Sequence, residues 1–136
     1  MNYKERIQAS IEYIESNLEE KILLENLAKQ VFLSKYHYHR VFHELVGETV
    51  MTYIRKRRLT EAAKELIDSN IKIVDVALKY QFGSQEAFSR AFRRMFKISP
   101  GEFRKIKINI LQYKKIHLCH ENTTTPVMMN SFCKVA

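Results

Sequence analysis

Apolar positions recur at helical spacing along most of the chain. Tyr3, Ile7, Ile11, Ile14 and Leu18 make one stripe on a helix of about 16 residues whose other face is acidic. Leu24, Leu27, Ala28 and Val31 predict a shorter helix over Leu24–Val31, and Ser34 caps a third that runs from Lys35 to about Val46 and buries Tyr38, Val41, Phe42 and Leu45. Gly47 supplies a left-handed stop. From Val50 to Ile67 neither Gly nor Pro interrupts the chain, and Val50, Tyr53, Ile54, Ala62, Ala63, Leu66 and Ile67 suit one long helix ended near Asn70. Ile73–Tyr80 predicts a short helix, and Ser84 caps another to about Lys97 with Phe88, Ala91, Phe92, Met95 and Phe96 facing inward. Ser99-Pro100-Gly101-Glu102 has the form of a capping box and opens a last helix. Past Asn109 the helical period gives way to strand-like alternation at Ile116–His120, broken by Thr123-Thr124-Thr125-Pro126. An isolated hairpin is marginal in water, so this tail either packs on the helical body or stays disordered, and disorder is the favoured expectation. The fold class expected is all-α.

Charge sharpens this picture. The formal net charge is +8, yet residues 1–33 hold more acids than bases, while residues 34–108 carry sixteen Lys and Arg against eight Asp and Glu. A basic surplus gathered in one folded region points to a polyanion, with nucleic acid ahead of a membrane because no strongly apolar amphipathic anchor accompanies it. No stretch reaches the length of an apolar transmembrane span, Met1-Asn2-Tyr3-Lys4 does not begin a secretory signal, and the only cysteines, Cys119 and Cys133, read as free thiols. A cytoplasmic protein is expected.

A shift of 50 positions superposes Ser34 on Ser84, Tyr38 on Phe88, Arg40 on Arg90, Val41 on Ala91, Phe42 on Phe92 and Thr49 on Ser99. Upstream the best shift is 49, pairing Leu27-Ala28 with Val76-Ala77, so the second copy carries one extra residue in its turn. The chain therefore holds two units of short helix, turn and capped helix, the arrangement of a helix-turn-helix. Helical bundles repeat in this way too, but the face between the apolar stripes is rich in donors, acceptors and flat rings. It carries Lys35, Tyr36, His39, Arg40 and His43 in the first unit and Gln85, Glu86, Ser89, Arg90, Arg93, Arg94 and Lys97 in the second. The connecting helix, 18 residues from Val50 to Ile67, spans roughly 27 Å at about 1.5 Å per residue, comparable with the roughly 34 Å between major grooves on one face of DNA. Its basic run Arg55-Lys56-Arg57-Arg58 covers more than half a helical turn and is expected to be solvated.

These residues resemble the AraC/XylS family of bacterial transcription regulators over about residues 3–104. The most specific part is Val76-Ala77 through Phe82, then Phe88-Ser89-Arg90-Ala91-Phe92-Arg93-Arg94, Ser99-Pro100 and Phe103-Arg104. Asn26-Leu27-Ala28, Leu33-Ser34-Lys35-Tyr36-His37, His39-Arg40-Val41-Phe42 and Tyr53-Ile54-Arg55 are similar to the family's first unit and linker. The resemblance implies seven helices in two helix-turn-helix subdomains joined by the long central helix, within a DNA-binding domain over 1–108. The first unit covers about 3–48, the linker helix about 50–67 and the second unit about 71–108. Residues 109–136 form a short C-terminal tail, disordered or the remnant of a C-terminal domain. It implies double-stranded DNA as the partner, bound by a monomer in adjacent major grooves, and activation through RNA polymerase. Carried over by position, Tyr36, His39, Arg40, Glu86, Ser89 and Arg90 face bases, while Ser34, Lys35, Ser84, Gln85, Arg93, Arg94 and Lys97 hold the backbone. Arg40 and Arg90 can each present a fork to guanine O6 and N7, or else form an intramolecular ion pair or touch phosphate. Glu86 either accepts from a cytosine amino group or orients Arg90. Ser34 and Ser84 are N-caps whose helix starts can also hold phosphate.

Several positions depart from the family pattern. Gln81 stands where the second turn usually has Gly, with Gly83 following. Phe32 replaces a small or polar residue, Lys97 replaces a common Gly, and Leu23 stands where Ser or Thr often caps. A left-handed backbone at Gln81 costs about 1 kcal/mol. With nothing ahead of the first helix and a short tail behind, the chain resembles stand-alone activators of drug and stress resistance, or a relative truncated within a C-terminal effector domain. Competing readings are a DNA-binding decoy and a helical protein-interaction module. No nucleophile elbow or phosphate-binding glycine loop supports an enzyme or a cofactor. His39 with His43, or His117, Cys119, His120 and Cys133, match no strong zinc pattern, so no metal is expected.

Overall fold

The computed structural model describes residues 2–106, which form α1 (Tyr3–Ser16), α2 (Leu24–Gln30), α3 (Lys35–Val46), α4 (Val50–Asp68), α5 (Ile73–Lys79), α6 (Gln85–Phe96) and α7 (Pro100–Ile106). The fold is all-α. The strand-like pattern and the Cys/His group of the tail lie outside the described residues. Local chemistry sets the helix starts. Asn2 with Glu5 and Ser99 with Glu102 make reciprocal capping boxes, and Ser34, Thr49 and Ser84 each accept from a backbone N–H three residues on. Leu23 and Lys72 begin α2 and α5 with no side-chain cap.

The two units repeat as the sequence shift requires. The turn from α2 to α3 runs Val31–Ser34 and that from α5 to α6 runs Tyr80–Ser84, one residue longer. Phe32 (φ 61°) and Gln81 (φ 69°) take the same left-handed step, and Leu33 N–H to Ala28 O (3.0 Å) matches Phe82 N–H to Ala77 O (2.9 Å). Gly83 does not take over this step, which stays at Gln81. At the far end of each capped helix Gly47 (φ 93°) and Lys97 (φ 71°) again correspond, so a lysine adopts the conformation glycine adopts at low cost.

Apolar burial gathers each unit against α4. Tyr38, Phe42 and Tyr53 are fully buried and their rings meet at 5.9 Å in the first unit. In the second, Phe88, Phe92, Phe96 and Phe103 pack at 4.6–6.4 Å between neighbouring centroids. Each large side chain removed from water stabilises by about 1.5–3 kcal/mol. Tyr3, placed in the α1 stripe by spacing, is 46% exposed and packs edge-on against His37 with its hydroxyl 3.2 Å from Nε2. As the first residue of α1, Tyr3 lies at the end of the stripe, against α3 but outside the core. The long helix also ends a little before Asn70, at Asp68, with Ser69 N–H bonding back to Glu65 O.

The expectation of a solvated Arg55–Arg58 run is corrected. Arg57 is buried, forks onto both carboxylate oxygens of Glu15 at 2.8 and 2.9 Å, and reaches Glu61 at 2.9 Å. Arg58 donates to the carbonyls of Leu18 and Glu20 at 2.8 and 2.7 Å, and Lys56 pairs with Glu48. Only Arg55 of the four is exposed. The cause is geometric: a run of four covers more than half the helix circumference, and α4 is flanked by α1 on one side and the second unit on the other. Burial works against the Arg57 charge, but the Glu15 hydrogen bonds and carboxylate outweigh it and hold the proton more firmly than usual. Burial alone lowers the Arg58 value.

A second polar cluster ties α5 to α4. Glu65 accepts from Lys79 Nζ at 2.8 Å and from the Tyr80 hydroxyl. Burial opposes its charge, yet those hydrogen bonds and the lysine hold its carboxyl below the ordinary range. Two predictions follow from these clusters. Arg57→Met should destabilise by about 3 kcal/mol in urea unfolding, since it strands Glu15, which keeps only partial contact with water. Glu65→Gln should cost on the order of 1–2 kcal/mol at neutral pH. A carboxyl depressed in the folded state stabilises above its unfolded value and loses that contribution as pH falls through the folded one. The variant and the parent should therefore converge below the ordinary carboxylate range.

Candidate nucleic-acid interface

Each capped helix buries one stripe and leaves the opposite face open. In α3, Tyr38, Val41, Phe42 and Val46 are buried, whereas Lys35, Tyr36, His39, Arg40 and His43 are exposed. In α6, Phe88, Phe92 and Phe96 are buried, whereas Gln85, Glu86, Arg90, Arg93, Arg94 and Lys97 are exposed and Ser89 is half-buried. Every side chain expected to face bases thus stands on the open side of its helix.

The two arginines expected to read bases are not consumed internally. Arg40 lies over the Tyr36 ring, its guanidinium carbon 5.8 Å from the centroid, and Tyr36 is 74% exposed. Neither Arg40 nor Arg90 forms an ion pair among the described residues, and Glu86, one turn before Arg90, is not paired with it there. The Tyr36 face stiffens the Arg40 fork without neutralising it, since a cation–π contact at an exposed site is worth only about 0.5–1 kcal/mol. Ser34 and Ser84 act as caps, accepting from His37 N–H and Ala87 N–H, both at 3.1 Å. The remaining amides of those helix starts face an environment that favours an anion.

The residues expected to hold the backbone lie beside these positions. Ser89, Arg90, Arg93 and Arg94 line a shallow depression on α6. Lys97 reaches back to Arg94 O at 3.3 Å. One cation escaped the sequence reading. Arg55 lines a cleft of about 250 Å³ between α4 and α6 with Arg94 and Lys97. The i to i+4 step from Arg55 to Leu59, which shares the face of Ala62 and Leu66, was the available signal. A different depression, lined by Glu15, Glu19, Glu20 and Glu61, carries the opposite charge. No group of three or more His, Cys, Asp or Glu among the described residues is placed to hold a metal ion. No described helix is long and apolar enough to cross a membrane.

Two similar units of this kind, each ending in a capped helix with an open polar face, define a helix-turn-helix protein. A helix-turn-helix domain family matches residues 27–106. The chain belongs to the AraC-type family of DNA-binding transcription regulators. It is 45% identical over 104 residues to the uncharacterised HTH-type transcriptional regulator YbfP of Bacillus subtilis, covering 76% of this chain and 35% of that one. It is 44% identical over 92 residues to the HTH-type transcriptional activator AarP of Providencia stuartii, covering 68% of each. The DNA-binding domain of AdpA, solved in complex with a target DNA, superposes with a TM-score of 0.68 at 26% identity, covering 74% of this chain and 90% of that one.

Lys97 joins strain to an expected role, so its substitution separates the two. Lys97→Gly should raise stability by up to about 1 kcal/mol by relieving the left-handed backbone. Calorimetry would read this as a rise of a few degrees in Tm, about 4–8 °C per kcal/mol for a domain of this size. Duplex affinity should fall at the same time, because a cation beside α6 is lost.

Proposed function

We propose that this chain is a sequence-specific double-stranded DNA-binding regulator that places α3 and α6 in adjacent major grooves as a monomer and activates transcription through RNA polymerase in the cytoplasm. One observation carries the reading. Arg40 and Arg90, 50 positions apart, are exposed at corresponding places on two serine-capped helices and carry no ion pair among the described residues. Such a fork matches guanine O6 and N7. Tyr36 and His39 beside Arg40, and Glu86 and Ser89 beside Arg90, complete two short base-reading rows. Ser34, Lys35, Ser84, Gln85, Arg93, Arg94 and Lys97 grip phosphate and set the register without specifying sequence.

The length of α4 supports the two-groove arrangement. Its 19 residues span roughly 28 Å at about 1.5 Å per residue, against roughly 34 Å between grooves on one face of the duplex. The name of AarP supports the activator role and the AdpA complex supports a duplex as partner.

Footprinting on the chain's own upstream DNA and on selected random DNA, titrated across salt, tests the reading. Protection of two adjacent major grooves on one face, lost steeply as salt rises, is the expected result. Arg40→Ala and Arg90→Ala should each cost about 1–3 kcal/mol and relax base preference in only one of the two protected segments. Absence of specific protection at moderate salt would favour a protein-interaction module, and protection without transcription in a reconstituted assay would favour a decoy.

A further inference from the structure

The cleft between α4 and α6 does not belong to either base-reading row. Leu59 of α4 and Ala91 and Met95 of α6 supply its apolar lining, while Arg55, Arg94 and Lys97 supply cations around it. Arg94 also borders the depression formed by Ser89, Arg90 and Arg93, so the cleft is continuous with the exposed face of the second capped helix. Arg55 is exposed and makes no ion pair among the described residues, in contrast to Lys56 and Arg57 on the same helix.

Lys56, which also lines the cleft, is engaged by Glu48, whereas Arg55, Arg94 and Lys97 make no ion pair among the described residues. A phosphodiester answers that arrangement. Its oxygens can accept from the guanidinium and ammonium groups, while a deoxyribose edge can meet the partly exposed Ala91 and Met95. Donors alone could also meet guanine O6 and N7, so it is the apolar lining beside the cations that favours a sugar–phosphate edge over a base edge.

We propose that this cleft holds the sugar–phosphate backbone of the duplex segment lying between the two base-reading helices, with Arg55 as a phosphate-holding residue on the connecting helix. The proposal rests on the duplex-binding reading above and adds a contact from α4 itself. Arg55 then measures the position of the second unit against the DNA backbone, not against sequence.

The test compares the parent chain with Arg55→Gln and Arg55→Lys by fluorescence anisotropy, on the footprinted site and on a random duplex, between about 50 and 200 mM salt. Arg55→Gln is expected to lower the slope of log K against log salt by about 0.9 on both duplexes. Its affinity defect should shrink about threefold across that range as the lost counterion release matters less. Arg55→Lys should restore the slope, and thermal melting should be the same for all three because the side chain is exposed. An unchanged slope in Arg55→Gln with the parent binding normally would overturn the cleft contact and leave the duplex reading standing. A defect confined to the footprinted site would also overturn it, by making Arg55 a base reader. Displacement of duplex by millimolar inorganic phosphate at fixed ionic strength would overturn it too, by making the cleft a site for free anions. A parent chain with no salt-dependent duplex binding would overturn both readings together.

Discussion

The structure depends on one helix giving opposite faces to two different cores. Along α4, Val50, Tyr53, Ile54 and Arg57 are buried in the first half, and Leu59, Ala62, Ala63 and Leu66 in the second. At about 100° per residue these sets lie about half a turn apart, and the change happens between Arg57 and Leu59, within two residues. A continuous helix cannot relax that angle by bending at a loop. The relative position of α3 and α6 is therefore set by helical geometry, and the side chains at the changeover must satisfy both neighbours. Arg57 stands at this changeover as a buried cation held by Glu15 of α1 and Glu61 of its own helix. Replacing such a pair with apolar residues is often neutral or stabilising, whereas removing one partner strands the other charge.

Most of the fold was legible because a helix announces itself twice, through its apolar period and its cap. The stripes of α3 and α6 and the caps at Ser34, Ser84 and Ser99 placed those elements to within a residue or so. The one-residue difference between the turns was also visible, because a shift that changes from 49 to 50 must be absorbed between helices. The Arg55–Arg58 run was misread for a physical reason. Charge predicts exposure unless a partner is supplied, and the partners Glu15, Glu48 and the Leu18 and Glu20 carbonyls lie far away in sequence. Tyr3 failed in the opposite sense: its spacing fits the stripe, but at the first turn of α1 it meets the edge of His37 and stays 46% exposed. For the interface, periodicity identified which residues of α3 and α6 would be open. For Arg55 the signal was its i to i+4 step to Leu59, but that α6 packs beside this face of α4 is a tertiary fact the period does not carry.

Among the described residues, three non-glycines with positive φ stand at corresponding joints of the two units, Phe32 with Gln81 at the turns and Lys97 opposite Gly47 at a helix end. The backbone conformation has been kept where the residue best suited to it has not. At Gln81 the side chain recovers part of the cost, since its amide donates to Glu19 O at 2.8 Å and touches the first unit from the second. Lys79 approaches the same residue at 4.0 Å. Phe32 makes no comparable return and leaves its ring 83% exposed.

The two open helix faces share a plan but not a composition. One presents a phenol, an imidazole and an arginine, the other a carboxylate, a hydroxyl and an arginine. Two identical subunits related by a twofold axis recognise a palindrome and sit on it equally well either way round. A single chain with unlike halves has no such axis. Any duplex site that engages both faces must have a head and a tail, and the bound protein a matching polarity. Whatever else the chain presents, including its acidic α1–α4 depression, then points in one direction along the DNA.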